Sequence, residues 1–296
     1  MGGAYVALVL VQVFFATMAV AGKLALRDLP PLVLAAVRVV AGAAALLVVA
    51  RLVDRMGVPS RADLRTFAIL GLFGVFLNQA LFITGLRYTS AVNAVLLIAT
   101  IPAFTYLFSA LRGDHRPDSL HVAGLALSFI GVGVIVGAGS FTKAEIVGDA
   151  LVVVNAACYA WYLVISRDVV ARHPPATVIA WTFVAGSIGI LVVASPWLVA
   201  LDWGGVPTRA WGWVAFIVAF PTVGSYLLNL VALRRLPSRT VAAFIYLQPL
   251  VGALLAVAVL DERLGVGTAL GAALVLGGIG MVLVERRDTR EIAMPG

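Results

Sequence analysis

Apolar residues run along this chain in blocks of about twenty, separated by short clusters of charge, proline and glycine. A bilayer core about 30 Å thick is crossed by roughly 20 residues of helix. Ten blocks meet that length: approximately 4–25, 32–52, 65–85, 90–111, 119–137, 149–167, 177–198, 210–231, 239–260 and 266–284. Polar positions inside them are few and periodic. In the eighth block Thr222, Ser225, Tyr226 and Asn229 fall at i, i+3, i+4 and i+7, which is one face of a helix. In the sixth, Asn155, Cys158, Tyr159, Tyr162 and Ser166 make a similar stripe. Polar groups in hydrocarbon are costly, so both faces are expected to turn into the bundle.

The blocks are written twice. Residues 85–133 and 232–280 align without a gap at an offset of 147, matching Leu86, Arg87, Pro102, Asp114, Arg116, Gly124, Gly131 and Gly133 to Leu233, Arg234, Pro249, Asp261, Arg263, Gly271, Gly278 and Gly280. Earlier, an offset of 144 matches Phe15, Ala16, Lys23 and Pro31 to Tyr159, Ala160, Arg167 and Pro175. Such self-similarity marks a duplicated structural unit. The predicted division is a first repeat over 1–146, a second over 147–285, and a tail over 286–296. Five is an odd number of crossings, so the second copy enters the membrane from the opposite side. The predicted fold is therefore all-α and polytopic, with ten transmembrane helices arranged as two inverted five-helix repeats.

Composition agrees. Apolar residues make up 62% of the 296 and charged residues only 12%, and the mean hydropathy is +1.07, beyond the range of soluble domains. The formal charge of +7 reads as topology rather than as a nucleic-acid surface, because cytoplasmic loops retain Lys and Arg. With the N-terminus inside, 14 of the 21 basic residues fall in inner loops and the tail and 6 in outer loops. The remaining one is Arg38. Both termini are expected to be cytoplasmic, in the cell (inner) membrane, and no leader cleavage is expected after Ala21. A single cysteine, Cys158, excludes an intramolecular disulfide.

Residues of these two copies resemble a known family. Gly85-Leu86-Arg87-Tyr88-Thr89-Ser90-Ala91, then Pro102, Gly124 and Gly131, is similar to the EamA-type repeat of the drug/metabolite transporter superfamily. So is Ala232-Leu233-Arg234 through Pro249 to Asp261-Glu262-Arg263-Leu264, followed by Gly271 and Gly278. The resemblance extends to the aromatic-alanine pairs Phe15-Ala16 and Tyr159-Ala160 and to the second-helix arginine, Arg38. It departs at His115, where an acid is usual, and at Arg38's mate, Thr182. It implies a ten-helix carrier with a substrate cavity between its halves, exporting metabolites or amino acids.

In inverted-repeat carriers the substrate binds near the bilayer midplane, where helices are kinked or broken. Pro102, Pro249 and Pro221 each remove a backbone donor and free a carbonyl, so they are the candidate hinges. The candidate cavity residues are Asn78, Gln79, Phe82, Asn93, Thr100, Asn155, Tyr159, Tyr162, Ser225, Tyr226, Asn229, Tyr246 and Gln248. As a set they would make an uncharged, aromatic-lined cavity suited to a small polar solute, and singly each could serve as interhelical glue. Arg38 either holds a substrate carboxylate or phosphate or, the favoured reading, supports the bundle. Lys23 reads as an interface anchor.

No carboxylate is expected at a helix centre, which disfavours proton-coupled export of drugs or cations, although Asp149 at an edge keeps that alternative open. No catalytic or metal-ligand pattern is evident, neither His-Glu-x-x-His nor Gly-x-Ser-x-Gly. An intramembrane enzyme, receptor or scaffold is thus disfavoured. Neither metal nor cofactor is expected. The expected partners are a small-molecule substrate and the lipid bilayer, without nucleic acid, in a monomer or weak dimer.

Overall fold

The structure, a computed structural model, describes residues 2–54, 57, 59–114, 118–139, 142–233, 244 and 247–282. Every regular element among them is helical. Eight helices are long and apolar enough to cross a bilayer: Gly3–Ala25, Pro31–Asp54, Asp63–Tyr88, Ala91–Arg112, Ser119–Gly137, Lys143–Val170, Pro175–Ala200 and Thr208–Leu228. Two further apolar helices are shorter, Leu247–Leu260 and Val266–Val282. The chain is an all-helical, multi-pass membrane protein. The first part of the expected ninth block, through Tyr246 and apart from Phe244, lies outside the described residues.

We label the α-helices in chain order: α1 Gly2–Ala25, α2 Pro31–Asp54, α3 Arg61–Gly71, α4 Asn78–Tyr88, α5 Ala91–Ile98, α6 Ile101–Arg112, α7 Ser119–Gly139, α8 Lys143–Val170, α9 Pro175–Ala200, α10 Thr208–Ile217, α11 Ser225–Leu233, α12 Leu247–Leu260 and α13 Val266–Val282. Local chemistry fixes several boundaries. Ser60 and Asp63 form a capping box that starts α3, and Thr142 and Glu145 form one that starts α8. The second box begins α8 six residues before the hydropathy block does. Asp149, expected at an edge, consequently lies inside the span and is fully buried.

Two spans are interrupted in the same way. A π-helical segment, Leu72–Leu77, joins α3 to α4, and another, Val218–Gly224, joins α10 to α11. At the repeat offset of 147 the first falls on 219–224, so the widened turns are repeat mates. Pro221 sits inside the second. The fourth block also breaks, between α5 and α6, one residue before Ile101-Pro102. There the Thr100 hydroxyl donates to the Leu97 carbonyl at 2.6 Å, satisfying an acceptor at the helix end.

Packing pairs α2 with α9, α7 with α13, α1 with α11 and α4 with α8. Glycines permit the closest approach. A Cβ placed on Gly124 would lie 2.6 Å from the Gly278 carbonyl, and one on Gly131 would lie 2.7 Å from the Gly271 carbonyl. The order reverses along the two helices, so α7 and α13 are antiparallel. Midway, the Ser128 hydroxyl donates to the Gly124 carbonyl at 2.9 Å and reaches the carbonyl of its repeat mate, Val275, at 3.5 Å. The main apolar core is contributed by most of the helices, centred on α1, α2, α5 and α9.

Candidate functional site

Arg38 is set about two turns into α2, and only 7% of it is exposed. One turn on, Gly42 leaves room for the opposing wall: a Cβ there would lie 3.0 Å from Thr222 Cγ2 and 3.2 Å from the Phe183 ring. This small residue lets the Val218–Gly224 π segment come against α2. Arg38 Nε donates to Thr222 Oγ1 at 3.1 Å, and Nη1 donates to Gln79 Oε1. Thr222 Oγ1 in turn donates to the Ile217 carbonyl at 2.9 Å, five residues back across the π turn. Ser225 does the same to Phe220 at 3.2 Å.

The chain of polar contacts continues away from Arg38. Gln79 Nε2 donates to Asn78 Oδ1 at 2.6 Å, and Asn155 Nδ2 donates to the Asn78 carbonyl at 2.6 Å. The connected series Thr222, Arg38, Gln79, Asn78 and Asn155 thus crosses from the second half of the sequence to the first and back. Aromatic rings flank it. Tyr226 packs edge-on against Phe15 and Phe183, at centroid separations of 6.2 and 5.7 Å. Tyr159 and Tyr162 are 5.4 Å apart, and the Tyr162 ring covers Gly74 so closely that a Cβ there would lie 2.6 Å from Cγ.

Of the residues expected to share one cavity, Asn78, Gln79 and Asn155 are joined directly through hydrogen bonds, and Ser225 and Tyr226 lie one turn from Thr222. Tyr159 and Tyr162 share α8 with Asn155. Phe82 is buried in α4. Thr100 is buried and capped onto Leu97, away from this series. Asn93 belongs to a different cluster, because its amide donates to Asp149 Oδ2 at 3.1 Å while Thr89 donates its hydroxyl to the same carboxylate. Gln248 is half-buried on α12, and Pro249 is buried beside it. Tyr246 lies outside the described residues, as does the side chain of Asn229. Among the described residues Arg38 hydrogen-bonds side chains of two segments, the Val218–Gly224 turn and α4, and so links them to α2.

Other polar contacts were not anticipated. Glu262 accepts from the backbone N–H groups of Ala91 and Val92, both at 2.8 Å, capping the first turn of α5 from across the chain. Asp54 similarly accepts from Thr177 N at 2.8 Å at the start of α9. The signal available in the sequence was an acid near a helix start, but its partner was remote. Gln12 is buried with no partner for Oε1 among the described residues, and the same holds for Thr182 Oγ1, the repeat mate of Arg38. Two shallow pockets of about 200 and 260 Å³ open at opposite ends of the bundle. The first is lined by Asp63, His173 and Trp181 among others, the second by Lys23, Arg87 and Glu262. Among the described residues no cluster of His, Cys, Asp and Glu could hold a metal ion.

Kinked, apolar helices around a buried polar seam make up a multi-pass membrane protein, and comparison with known proteins gives its class. The sequence pattern of the EamA-like transporter family matches residues 2–137 and again 146–284, and the chain belongs to that family. A Bacillus subtilis protein, the uncharacterized transporter YyaM, is 27% identical over 78% of each chain. An uncharacterized transporter from Archaeoglobus fulgidus is 28% identical over 90% of this chain and 92% of its own. A probable terminal-alkyne amino-acid exporter from Streptantibioticus cattleyicolor is 29% identical over 80% of both. A crystal structure at 21% identity shares the fold, with a TM-score of 0.65 over 95% of this chain and 97% of that one. Family and relatives point to transport rather than enzymatic chemistry.

Proposed function

We propose that this chain is a secondary transporter of small polar metabolites, most readily amino acids or related compounds, working by alternating access. The observation that carries the reading is the buried seam from Thr222 through Arg38 and Gln79 to Asn155, which joins both halves of a chain from a transporter family. Ten crossings in two inverted five-helix repeats, bounded near residue 146, suit the arrangement. The reciprocal contacts of Gly124 with Gly278 and Gly131 with Gly271 support a pseudo-two-fold axis passing between Ser128 and Val275. Symmetry of that kind supplies two related states opening to opposite faces. Bending at Pro102, Pro249 and Pro221 would exchange them. The amino-acid reading is supported by the exporter among the relatives. Orientation follows the distribution of Lys and Arg, with both termini cytoplasmic in the inner membrane, and the glycines of α7 and α13 are engaged within one chain, as in a monomer.

A counterflow assay tests the reading. Proteoliposomes are loaded with unlabelled amino acids and metabolites, and uptake of labelled solute is followed with and without a pH gradient. Accumulation of particular solutes without a gradient is expected. No exchange by folded protein for any solute would refute it. The second reading, proton-coupled export of drugs or cations, is favoured by the burial of Asp149 within a span. On that reading exchange follows an imposed pH gradient, and Asp149→Asn uncouples it.

A further inference from the structure

Arg38 has more donors than the protein uses. A guanidinium carries five N–H groups, and among the described residues only Nε–H and one Nη1–H find acceptors, leaving the second Nη1 proton and both Nη2 protons unused. No carboxylate of the described residues lies within 4.0 Å of it. Both acceptors that hold it, a hydroxyl and an amide, are neutral. The charge is nine-tenths buried, and a buried cation is normally retained only with an anion beside it.

We propose that Arg38, braced by Thr222 and Gln79, receives the carboxylate of the transported solute, so that cargo must carry a free carboxylate. This rests on the transport reading above. The brace leaves donors unused on both terminal nitrogens of a planar group, Nη1 and Nη2, and a planar carboxylate is the acceptor that such a group favours. A phosphate dianion is a poorer match, because no second cation joins the seam among the described residues. Phe183, which with Thr222 faces Gly42, and Tyr226, packed edge-on against it, supply apolar surface for the rest of the solute. Before cargo arrives, the neutral partners keep Arg38 oriented without neutralising it, and a resident acid would compete with cargo for the same donors.

The test uses the full-length chain in proteoliposomes loaded with L-threonine, L-leucine or L-phenylalanine, each as the free acid or as its amide, and with phosphothreonine. Free acids are expected to drive exchange at least about tenfold faster than amides. Arg38→Gln should abolish that preference, and Arg38→Lys should retain part of it. Thermal unfolding of the variants reports whether they fold, and the acid-against-amide comparison on the unaltered protein stands without them. Equal exchange of acids and amides overturns the inference while leaving transport intact. So does a preference for acids that survives in folded Arg38→Gln, or faster exchange of phosphothreonine than of threonine. Absence of all exchange overturns the transport reading itself and this inference with it.

Discussion

Gly124 faces Gly278 so closely that a methyl group on Gly124 would lie 2.6 Å from the Gly278 carbonyl, and Gly278 meets Gly124 reciprocally. Their repeat mates are Gly271 and Gly131, which make the same contact seven residues further on. One antiparallel pair of helices thus uses each glycine of the duplicated pattern twice, once in each copy. With lipid tails as apolar as the side chains, close backbone approach is what holds such helices together.

Substitution at these glycines should therefore be costly in a position-dependent way. Gly124→Leu and Gly278→Leu must separate two backbones, and each is expected to cost about 3 kcal/mol or more. Gly133 and Gly280 have nothing within 4 Å of a Cβ. Gly133→Ala and Gly280→Ala should change stability by less than about 0.5 kcal/mol. Thermal unfolding in detergent checks the contrast, and equal effects at both pairs would contradict the packing.

Glu262 closes the start of α5 through two backbone N–H groups at 2.8 Å. Glu262→Ala removes both acceptors and a negative charge from a helix N-terminus, with an expected loss of about 0.5–2 kcal/mol. Glu262→Gln keeps one acceptor and should lose less. Denaturation midpoints of the two variants give the ranking.

Asp149 accepts from Thr89 and Asn93 in full burial. Removing one donor leaves a buried carboxylate less satisfied, so Thr89→Val should cost about 1–3 kcal/mol. Pairing it with Asp149→Asn should recover part of the loss. A double-mutant cycle measures the coupling, and strict additivity would show that the contact carries no energy.

Asp28, between α1 and α2, accepts from Arg209 Nε at 3.0 Å and Nη2 at 2.7 Å. That guanidinium holds the Asp28 carboxyl below the ordinary carboxylate range. A depressed carboxyl stabilises the fold above its unfolded value of about 4 and loses that contribution as pH falls through the lower folded value. Thermal midpoints should fall on acidification below about pH 4, and Asp28→Asn should flatten the fall. An unchanged slope in the variant would remove Asp28 from the acid transition.

Pro102 follows the break between α5 and α6, and Pro249 occupies its repeat position. Replacing both with alanine should slow counterflow about tenfold, roughly 1.4 kcal/mol on the barrier, with unfolding little changed. Unaltered flux in folded protein would dissociate these prolines from the motion.

The sequence alone determined that the chain is apolar, helical and duplicated, because hydropathy over twenty residues and a gapless offset are properties of a string. It also picked out the polar faces, since a 3.6-residue period marks which side of a helix must turn inward. Partnership was decided by tertiary structure. Nothing in the spacing of Arg38, Gln79 and Thr222 joins them, as the latter two lie 41 and 184 residues from Arg38 and meet it only when α2 packs against α4 and the Val218–Gly224 turn. Likewise Asn93 was legible as polar and inward, but that it serves Asp149 rather than the Arg38 seam depends on where α8 begins. The widened turns left no mark in hydropathy, because a π segment differs from an α-helix in one backbone hydrogen-bond register and not in composition. Periodicity fixes the face a residue presents, whereas the residue it meets depends on the packing of helices distant in sequence.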